Sequence, residues 1–307
     1  MVSKSLPVTG PLAGMFWMLL SCALLSGVAV LGRWAALDGV PTFQIVFLRV
    51  AFALVAFLPL IAWRGTEMLR TQHLPLYAWR VGIGLIGMTS WFAALAYITV
   101  GEVTAIGFLA PIVGTIGAAL ILREVVRWRR WSATIIGLIG AMIVLRPGIV
   151  EIGPGAWYAL LAAVGMGTTG LFIKSLSGKD DPDKVVLISL CLQTPITAIA
   201  AAFVWQPVPL HLWAVFAGMG LIGMLGHITL TRAFRAADAS LIMSLEFARL
   251  PFAVALAWAM FGELIDLWTW IGAGVIFAAA LYTAHRERQL RKPARGGAET
   301  KASAAPH

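Results

Sequence analysis

The stretch from Ala239 to Glu263 is long and apolar enough to cross a lipid bilayer, yet it carries Glu246 and Arg249 near its middle. A charged side chain at the centre of a bilayer costs roughly 2.5–3.5 kcal/mol on insertion scales. Side chains three residues apart lie on one face of a helix, so both charges should face a helix bundle or a water-filled cavity. We therefore expect the rest of the chain to enclose this face.

The composition indicates an integral membrane protein. Of the 307 residues, 60% are hydrophobic and only 12% are charged, whereas soluble proteins average about 25% charged residues. Backbone groups in lipid must bond within their own segment, and the apolar segments are too long for barrel strands, so we predict an all-α fold. The ten predicted transmembrane helices span residues 12–32, 42–62, 76–98, 102–122, 131–148, 155–175, 184–205, 211–231, 239–261 and 267–285.

The basic residues predict the orientation of these helices. With a cytoplasmic N-terminus, nineteen of the 23 lysines and arginines, Arg80 among them, fall in cytoplasmic segments, and only Arg33 and Arg146 fall in outer loops. Cytoplasmic loops of membrane proteins carry such an excess of positive charge. We therefore predict that both termini are cytoplasmic, with residues 1–11 as a short leading segment and residues 286–307 as a disordered basic tail.

The sequence contains an internal repeat. Residues 82–88 (GIGLIGM) recur as residues 218–224 (GMGLIGM), and the same offset pairs Trp91 with His227. Division into residues 12–148 and 149–285 places five predicted helices in each half. An odd number of helices forces the second half to enter the membrane from the opposite side. Inverted repeats of this kind are typical of secondary transporters, whose substrates bind near the midplane between the halves.

Several short motifs carry a resemblance to a known family. They are Leu109-Ala110-Pro111 with Glu124 in the first half, and Gly226-His227, Thr231-Arg232-Ala233-Phe234, Ala239-Ser240 and Phe261-Gly262-Glu263 in the second. With Arg49 in the second predicted helix, the chain resembles the EamA family of the drug/metabolite transporter superfamily over residues 12–285. The resemblance implies a ten-helix carrier in the bacterial inner membrane. Many relatives have a proline and a tyrosine beside the glutamate that corresponds to Glu246; this chain has neither, so a role for a tyrosine hydroxyl is not implied.

Glu246 and Arg249 are the first candidates for a binding site. Guanidinium groups match carboxylates in bidentate geometry, so Arg249 could bind a carboxylate of the substrate. Glu246 could bind an amine or a coupling proton, because burial raises the pKa of a carboxyl group. The alternative is a structural ion pair within one helix.

Arg49 is a further candidate, about seven residues into the second predicted helix. It could pair with an anionic substrate or with Glu246, or its guanidinium could extend to the outer membrane interface. Gln193 is its rough counterpart in the second half.

Trp17, Trp91 and His227 could form a stacking surface for an aromatic or amphipathic ligand. The alternative for the two tryptophans is ordinary packing. His227 could titrate near neutral pH, or it could form an internal hydrogen bond.

Two prolines and two acidic residues occupy corresponding positions in the two halves of the sequence. Pro111 and Pro251 should bend the fourth and ninth helices and free backbone carbonyls. Glu124 and Glu263 follow at the exits of these helices, where we expect structural or gating roles rather than substrate contacts.

No motif in the sequence indicates catalysis, a metal or a cofactor. The five histidines are scattered, and neither a zinc-protease motif nor a phosphate-binding loop is present. We expect residues 180–183 to form a solvated turn, and Cys22 and Cys191 to be buried apolar side chains. The basic residues suit topology, not nucleic acid.

The sequence therefore predicts a secondary transporter and not an enzyme, acting as a monomer or homodimer. We expect alternating-access export of an amino acid or an amino-acid-derived compound that is carboxylated or zwitterionic, such as a metallophore, with a proton as the candidate coupling ion. The alternative substrate is a vitamin such as riboflavin, taken up into the cell. A non-transport membrane enzyme or scaffold is the distant alternative.

Overall fold

A computed structural model describes residues 11–110, 112–113, 128–146, 152–177, 179–236, 245 and 248–291. Within these ranges the chain forms α-helices joined by short connections, and no strand occurs among them. Pro111, Glu124 and Glu246 lie outside the described residues, as do residues 1–10 of the predicted leading segment 1–11.

Each of the ten predicted segments contains an α-helix. The helices are α1 (Pro11–Leu37), α2 (Thr42–Arg64), α3 (Leu74–Tyr97), α4 (Val100–Gly107), α5 (Trp128–Leu145), α6 (Pro154–Ser177), α7 (Pro182–Ala202), α8 (Leu210–Ala236), α9 (Arg249–Phe261) and α10 (Leu267–Arg291). A 3₁₀ turn, Thr66–Leu69, joins α2 to α3. Among the described helices, α1, α2, α3, α6, α7 and α8 are long and apolar enough to cross a membrane. The count of ten membrane spans stays a prediction.

Prolines and polar caps determine where several helices begin. Pro154 and Pro182 occupy the first helical positions of α6 and α7, where a backbone N–H would have no acceptor within the helix, so its absence in proline costs nothing. Asp181 caps α7 by accepting a hydrogen bond from the Asp183 N–H.

Two other helix boundaries have specific causes. Thr99 and Glu102 form a reciprocal capping box at the start of α4. Helix α9 ends at Gly262, whose φ of +69° lies in the left-handed region that glycine adopts without strain.

The structure corrects two predicted boundaries. Helix α1 continues to Leu37, so Arg33 lies within it and not in an outer loop. Helix α10 continues to Arg291, because the polar residues after His285 are good helix formers and Pro293 follows only two residues later. Residues 286–291 are thus helical, and the rest of the predicted tail lies outside the described residues.

Three helix pairs dominate the packing: α3 with α6, α1 with α8, and α5 with α10. Helix α2 packs against α7 and α8, and α1 also packs against α9. Glycines allow the backbones to come close. The Cβ that Gly165 lacks would lie 2.6 Å from the Gly87 Cα, and the Cβ that Gly140 lacks would lie 2.9 Å from the Gly272 carbonyl oxygen. Small residues at such contacts are typical of membrane helix pairs.

The two cysteines lie on different helices, and no disulfide occurs among the described residues. Cys22 is fully buried on α1, and Cys191 is half-buried on α7. Both pack among apolar side chains, as the sequence predicts.

Candidate functional site

The guanidinium of Arg49 lies inside the bundle. From α2 it reaches α3, where Nη1 is 3.0 Å from the Met88 sulfur and Cζ is 5.8 Å from the ring centre of Phe92. On its other side is α8, where a Cβ on Gly223 would lie 3.5 Å from Arg49 Nη2. The alternative in which Arg49 extends to the membrane interface is therefore wrong, because its head group contacts the neighbouring helices.

Three arginines from different helices lie near His227 of α8. Arg49 of α2, Arg80 of α3 and Arg249 of α9 each lie within electrostatic reach of its ring. All four side chains are half-buried rather than sealed. We call these four residues the arginine cluster. Three of its members, Arg49, Arg249 and His227, are candidates from the sequence.

Arg80 is the member that the sequence did not identify. Its position near the start of α3 suggested a cytoplasmic loop, but its guanidinium points into the bundle and hydrogen bonds the Ser189 hydroxyl of α7. Its Nε is buried and has no hydrogen-bond partner among the described residues. The cue in the sequence to this direction is helical spacing, which places Arg80 and Met88 on one face of α3.

Arg249 begins α9 beside α1. The Ser26 hydroxyl of α1 donates a hydrogen bond of 3.1 Å to the Arg249 carbonyl oxygen. Pro251 lies in the first turn of α9. Residues 246 and 247 lie outside the described residues, so the bend that Pro251 should cause in the ninth predicted helix stays a prediction. A proline in the first turn costs no internal hydrogen bond.

The candidate aromatic residues do not form one surface. Trp17 packs near Met18, Cys22 and Ala233, and the Arg232 Cζ lies 5.2 Å from its ring centre. Trp91 belongs to the main core, where a Cβ on Gly107 of α4 would lie 2.8 Å from its ring. The two tryptophans therefore lie in different clusters, and a binding role for either stays a prediction.

Gln193 lies on α7, half-buried, and its carbonyl oxygen accepts a hydrogen bond from Thr197. No contact between its side chain and the arginine cluster occurs among the described residues. Its role as a counterpart of Arg49 stays a prediction.

A polar network closes the end of the bundle where α1 ends and α2 begins, which we call the α1–α2 end. Arg33 of α1 pairs with Glu263, with Nη2 and Oε1 2.8 Å apart. Arg33 also donates to the Leu95 carbonyl, and the Val100 N–H donates to Glu263 Oε2 at 3.4 Å. Arg33 and Glu263 together thus join the ends of α1, α3 and α9 to the start of α4. The structural or gating role of Glu263 stays a prediction.

A second polar network lies at the opposite end, which we call the α2–α3 end. Asp180 accepts hydrogen bonds from Thr71 at 2.8 Å and from Tyr77 at 3.0 Å, and it lies 3.6 Å from Lys184 Nζ. Asp183 pairs with Arg64 at 2.9 Å. The prediction of a merely solvated turn at residues 180–183 is wrong, because these acids hold α7 to α2 and α3.

The pKa of Asp180 reflects this network. Burial opposes ionisation, but the two donated hydrogen bonds and the charge of Lys184 outweigh it, so the pKa of the carboxyl lies below its usual value. The Asp180 carboxylate is therefore a fixed acceptor that holds three partners.

Comparisons with known proteins identify the family. The EamA-like transporter family matches the chain twice, over residues 12–146 and 153–284. A riboflavin transporter of Vibrio cholerae is 31% identical over 89% of this chain and 93% of its own length. One of Rhizobium johnstonii is 33% identical over 92% and 94%. The pseudopaline exporter CntI of Pseudomonas aeruginosa is 24% identical over 81% and 88%.

These relatives are bacterial carriers of small organic molecules, and each aligns along most of its length with this multi-helical chain. The family model matches nearly all of the described helices, so it accounts for the bundle as a whole. The chain is therefore a membrane transporter that belongs to the EamA-like family of the drug/metabolite transporter superfamily.

Proposed function

We propose that this transporter moves a small organic metabolite across the bacterial inner membrane by alternating access between two inverted five-helix repeats, residues 12–148 and 149–285. The helix packing supports the repeat. Exchanging each helix with the one five places later converts the α1–α8 pair into the α3–α6 pair and leaves the α5–α10 pair unchanged. Pro59 of α2 and Pro195 of α7 are also separated by 136 positions, the offset between the two glycine motifs.

The arginine cluster is the observation that supports a substrate site. It joins α2 and α3 of one half to α8 and α9 of the other. Charged residues inside a membrane bundle mark substrate and ion pathways, because their burial is costly. By the distribution of basic residues, the α1–α2 end faces the outside and both termini face the cytoplasm.

The first candidate substrate is an amino acid or amino-acid-derived compound with a carboxylate, carried outward. Arg49 and Arg249 support it, because a guanidinium recognises a carboxylate through two hydrogen bonds. The similarity to the pseudopaline exporter CntI supports the outward direction. Glu246 is proposed to bind the amine of such a ligand or a coupling proton.

The second candidate is uptake of a flavin. It is favoured by the two riboflavin transporters, which share 31% and 33% identity with this chain over nearly its full length. The half-buried rings of Trp17 and Trp91 could contact a flavin at different stages of transport, although they lie in separate clusters.

Two measurements test the proposal and separate the candidates. Metabolite profiling of cells that lack or overproduce the protein should show one compound that accumulates inside on depletion and outside on overproduction if the carrier exports it. Growth of a riboflavin-requiring strain on low riboflavin, restored by this protein, would instead establish flavin uptake. If neither metabolite levels nor growth respond to the protein, the proposed function is wrong.

Variants test the site within the same assays. Glu246→Gln and Arg249→Ala should abolish transport while folded protein remains in the membrane. Normal transport by both variants would remove these residues from the site, and a failure of both to accumulate as folded protein would make them structural.

A further inference from the structure

Two arginines of the cluster, Arg49 and Arg80, have no carboxylate partner among the described residues. Four arginines outside it each pair with an acid. These pairs are Arg33–Glu263, Arg64–Asp183, Arg70–Glu67 and Arg146–Asp266, with N–O distances between 2.6 and 3.0 Å. Arg49 and Arg80 differ from these four arginines in this respect.

Arg49 has weak partners for a buried cation. Among the described residues its polar contact is the Met88 sulfur, its aromatic contact is Phe92, and its Nε is buried without a hydrogen bond. A thioether is a weak acceptor, and an aromatic face offsets only part of the cost of removing a guanidinium from water. The environment of Arg49 is thus incomplete without an anion.

Arg80 has a similar deficit. Its hydrogen-bond partner is the neutral hydroxyl of Ser189, which donates its own proton to the Val185 carbonyl. The Tyr77 hydroxyl donates to Asp180, and no hydrogen bond between Arg80 and Tyr77 occurs among the described residues. Its buried Nε, like that of Arg49, has no acceptor in the described part of the chain.

The three arginines of the cluster share one neighbour, His227. Arg49, Arg80 and Arg249 come from three helices and all lie within electrostatic reach of His227. Glu246 precedes Arg249 by three residues in the sequence and carries one negative charge against three positive ones. Like charges in a low-dielectric bundle repel one another strongly, which an added anion would relieve.

We propose that Arg49, Arg80 and Arg249, arranged around His227, bind an oxyanion of the transported molecule, a carboxylate or a phosphate. The proposal rests on the carrier function above and defines its substrate class: the transported form bears at least one negative charge that the arginines neutralise. Guanidinium groups suit both oxyanions, because their donors form two parallel hydrogen bonds to either. The partial exposure of all four side chains leaves the site accessible to a ligand.

Binding to the purified full-length protein tests the proposal. Riboflavin and flavin mononucleotide form a matched pair, because they share one ring system and differ by a phosphate. Succinate and inorganic phosphate, assayed by the rise in melting temperature that they cause, probe the two oxyanions separately. Each probe is measured with the unmodified protein, with Arg49→Gln and Arg80→Gln, and with the control Arg64→Gln, which lies at the α2–α3 end outside the cluster.

We expect an oxyanion probe to stabilise the unmodified protein. If the flavin ring fits, flavin mononucleotide should bind about tenfold to a hundredfold more tightly than riboflavin, as one hydrogen-bonded charge pair implies. Arg49→Gln and Arg80→Gln should abolish the oxyanion effect, and Arg64→Gln should preserve it. Succinate alone stabilising the protein would identify a carboxylate ligand, and phosphate alone would identify a phosphorylated one.

Two results would overturn the proposal: no oxyanion probe stabilises the unmodified protein, or both cluster variants respond as strongly as Arg64→Gln does. If the glutamine variants do not fold, Arg80→Lys keeps the charge, and competition of inorganic phosphate with flavin mononucleotide on the unmodified protein decides the matter. Transport is scored separately in vesicles. Transport of a neutral ligand by the unmodified protein, unaffected by Arg49→Gln and Arg80→Gln, would refute the anion site alone, whereas oxyanion binding without any transport would refute the carrier function alone.

Discussion

Arg33 and Glu263 are 230 positions apart in the sequence and form an ion pair of 2.8 Å that joins α1 to the end of α9. Only 11% and 15% of their side chains are exposed. By contrast, Arg70 and Glu67, which pair at 3.0 Å beside the 3₁₀ turn, are 81% and 75% exposed. The chain thus contains one shielded and one solvated pair with the same residue types.

Glu263→Gln should destabilise the protein substantially. Removing one partner leaves the shielded Arg33 charge uncompensated, at a cost near the lower end of about 3–5 kcal/mol. Glu67→Gln is the matched control and should change stability by no more than about 1 kcal/mol. Thermal unfolding in detergent measures both, and equal melting temperatures for the two variants would contradict a stabilising role for the Arg33–Glu263 pair.

The hydrogen bonds to Asp180 should make stability depend on pH in the acid range. The pKa of its carboxyl is lowered in the folded protein, so its contribution is fully present above the unfolded pKa of about 4. This contribution is lost as the pH falls through the folded pKa. Asp180→Asn should therefore lower the melting temperature at pH 7 and reduce its decline between pH 5 and pH 3, while Glu67→Gln keeps the original profile. Parallel profiles for Asp180→Asn and the unmodified protein would exclude this contribution.

A methyl group at Gly165 should separate α3 from α6. The added Cβ would lie 2.6 Å from the Gly87 Cα, and a backbone atom cannot move aside as a flexible side chain can. Gly170 lies on the same helix with no atom within 4 Å of its added Cβ. We expect Gly165→Ala to lower the melting temperature, and Gly170→Ala to raise stability by about 0.5–1 kcal/mol through helix propensity. Similar changes for both variants would show that α3 and α6 do not depend on this contact.

Thr99→Ala should weaken the start of α4. The Thr99 hydroxyl accepts from the Glu102 N–H, and the Glu102 carboxylate accepts from the Thr99 N–H at 3.0 Å. Loss of such a cap costs about 1 kcal/mol, whereas Thr99→Ser keeps the hydroxyl and should stay close to the original stability. Thermal unfolding of Thr99→Ala and Thr99→Ser measures the contribution of the cap. Equal melting temperatures for the two variants would show that the cap does not stabilise the protein.

Hydropathy and local sequence cues predict the helices well, because both depend on neighbouring residues. The second predicted segment, 42–62, corresponds to α2 at Thr42–Arg64, and the third, 76–98, corresponds to α3 at Leu74–Tyr97. Continuous apolar runs that end at proline, glycine or charge are sufficient for this prediction.

The direction of individual side chains could not be predicted in the same way. Arg80 lies close enough to the start of α3 for a charge count to assign it to a loop, and only the packing of α3 beside α7 brings Ser189 to its guanidinium. Trp91 and His227 match in the repeat, yet one packs against Gly107 and the other lies among arginines. These differences depend on which helices pack against each other. The hydrophobic periodicity of a single helix does not contain that information.

The contact between Gly140 and Gly272 is reciprocal: the missing Cβ of each would lie within 3 Å of the other's carbonyl oxygen. In the proposed mechanism, the two halves exchange conformations during each cycle, so α1–α8 and α3–α6 take turns in two environments. The same exchange of halves turns the α5–α10 pair into itself, so this pair has to keep one geometry throughout the transport cycle. It would then serve as the fixed axis of rotation of the carrier, where a covalent tether between the helices would be tolerated during turnover.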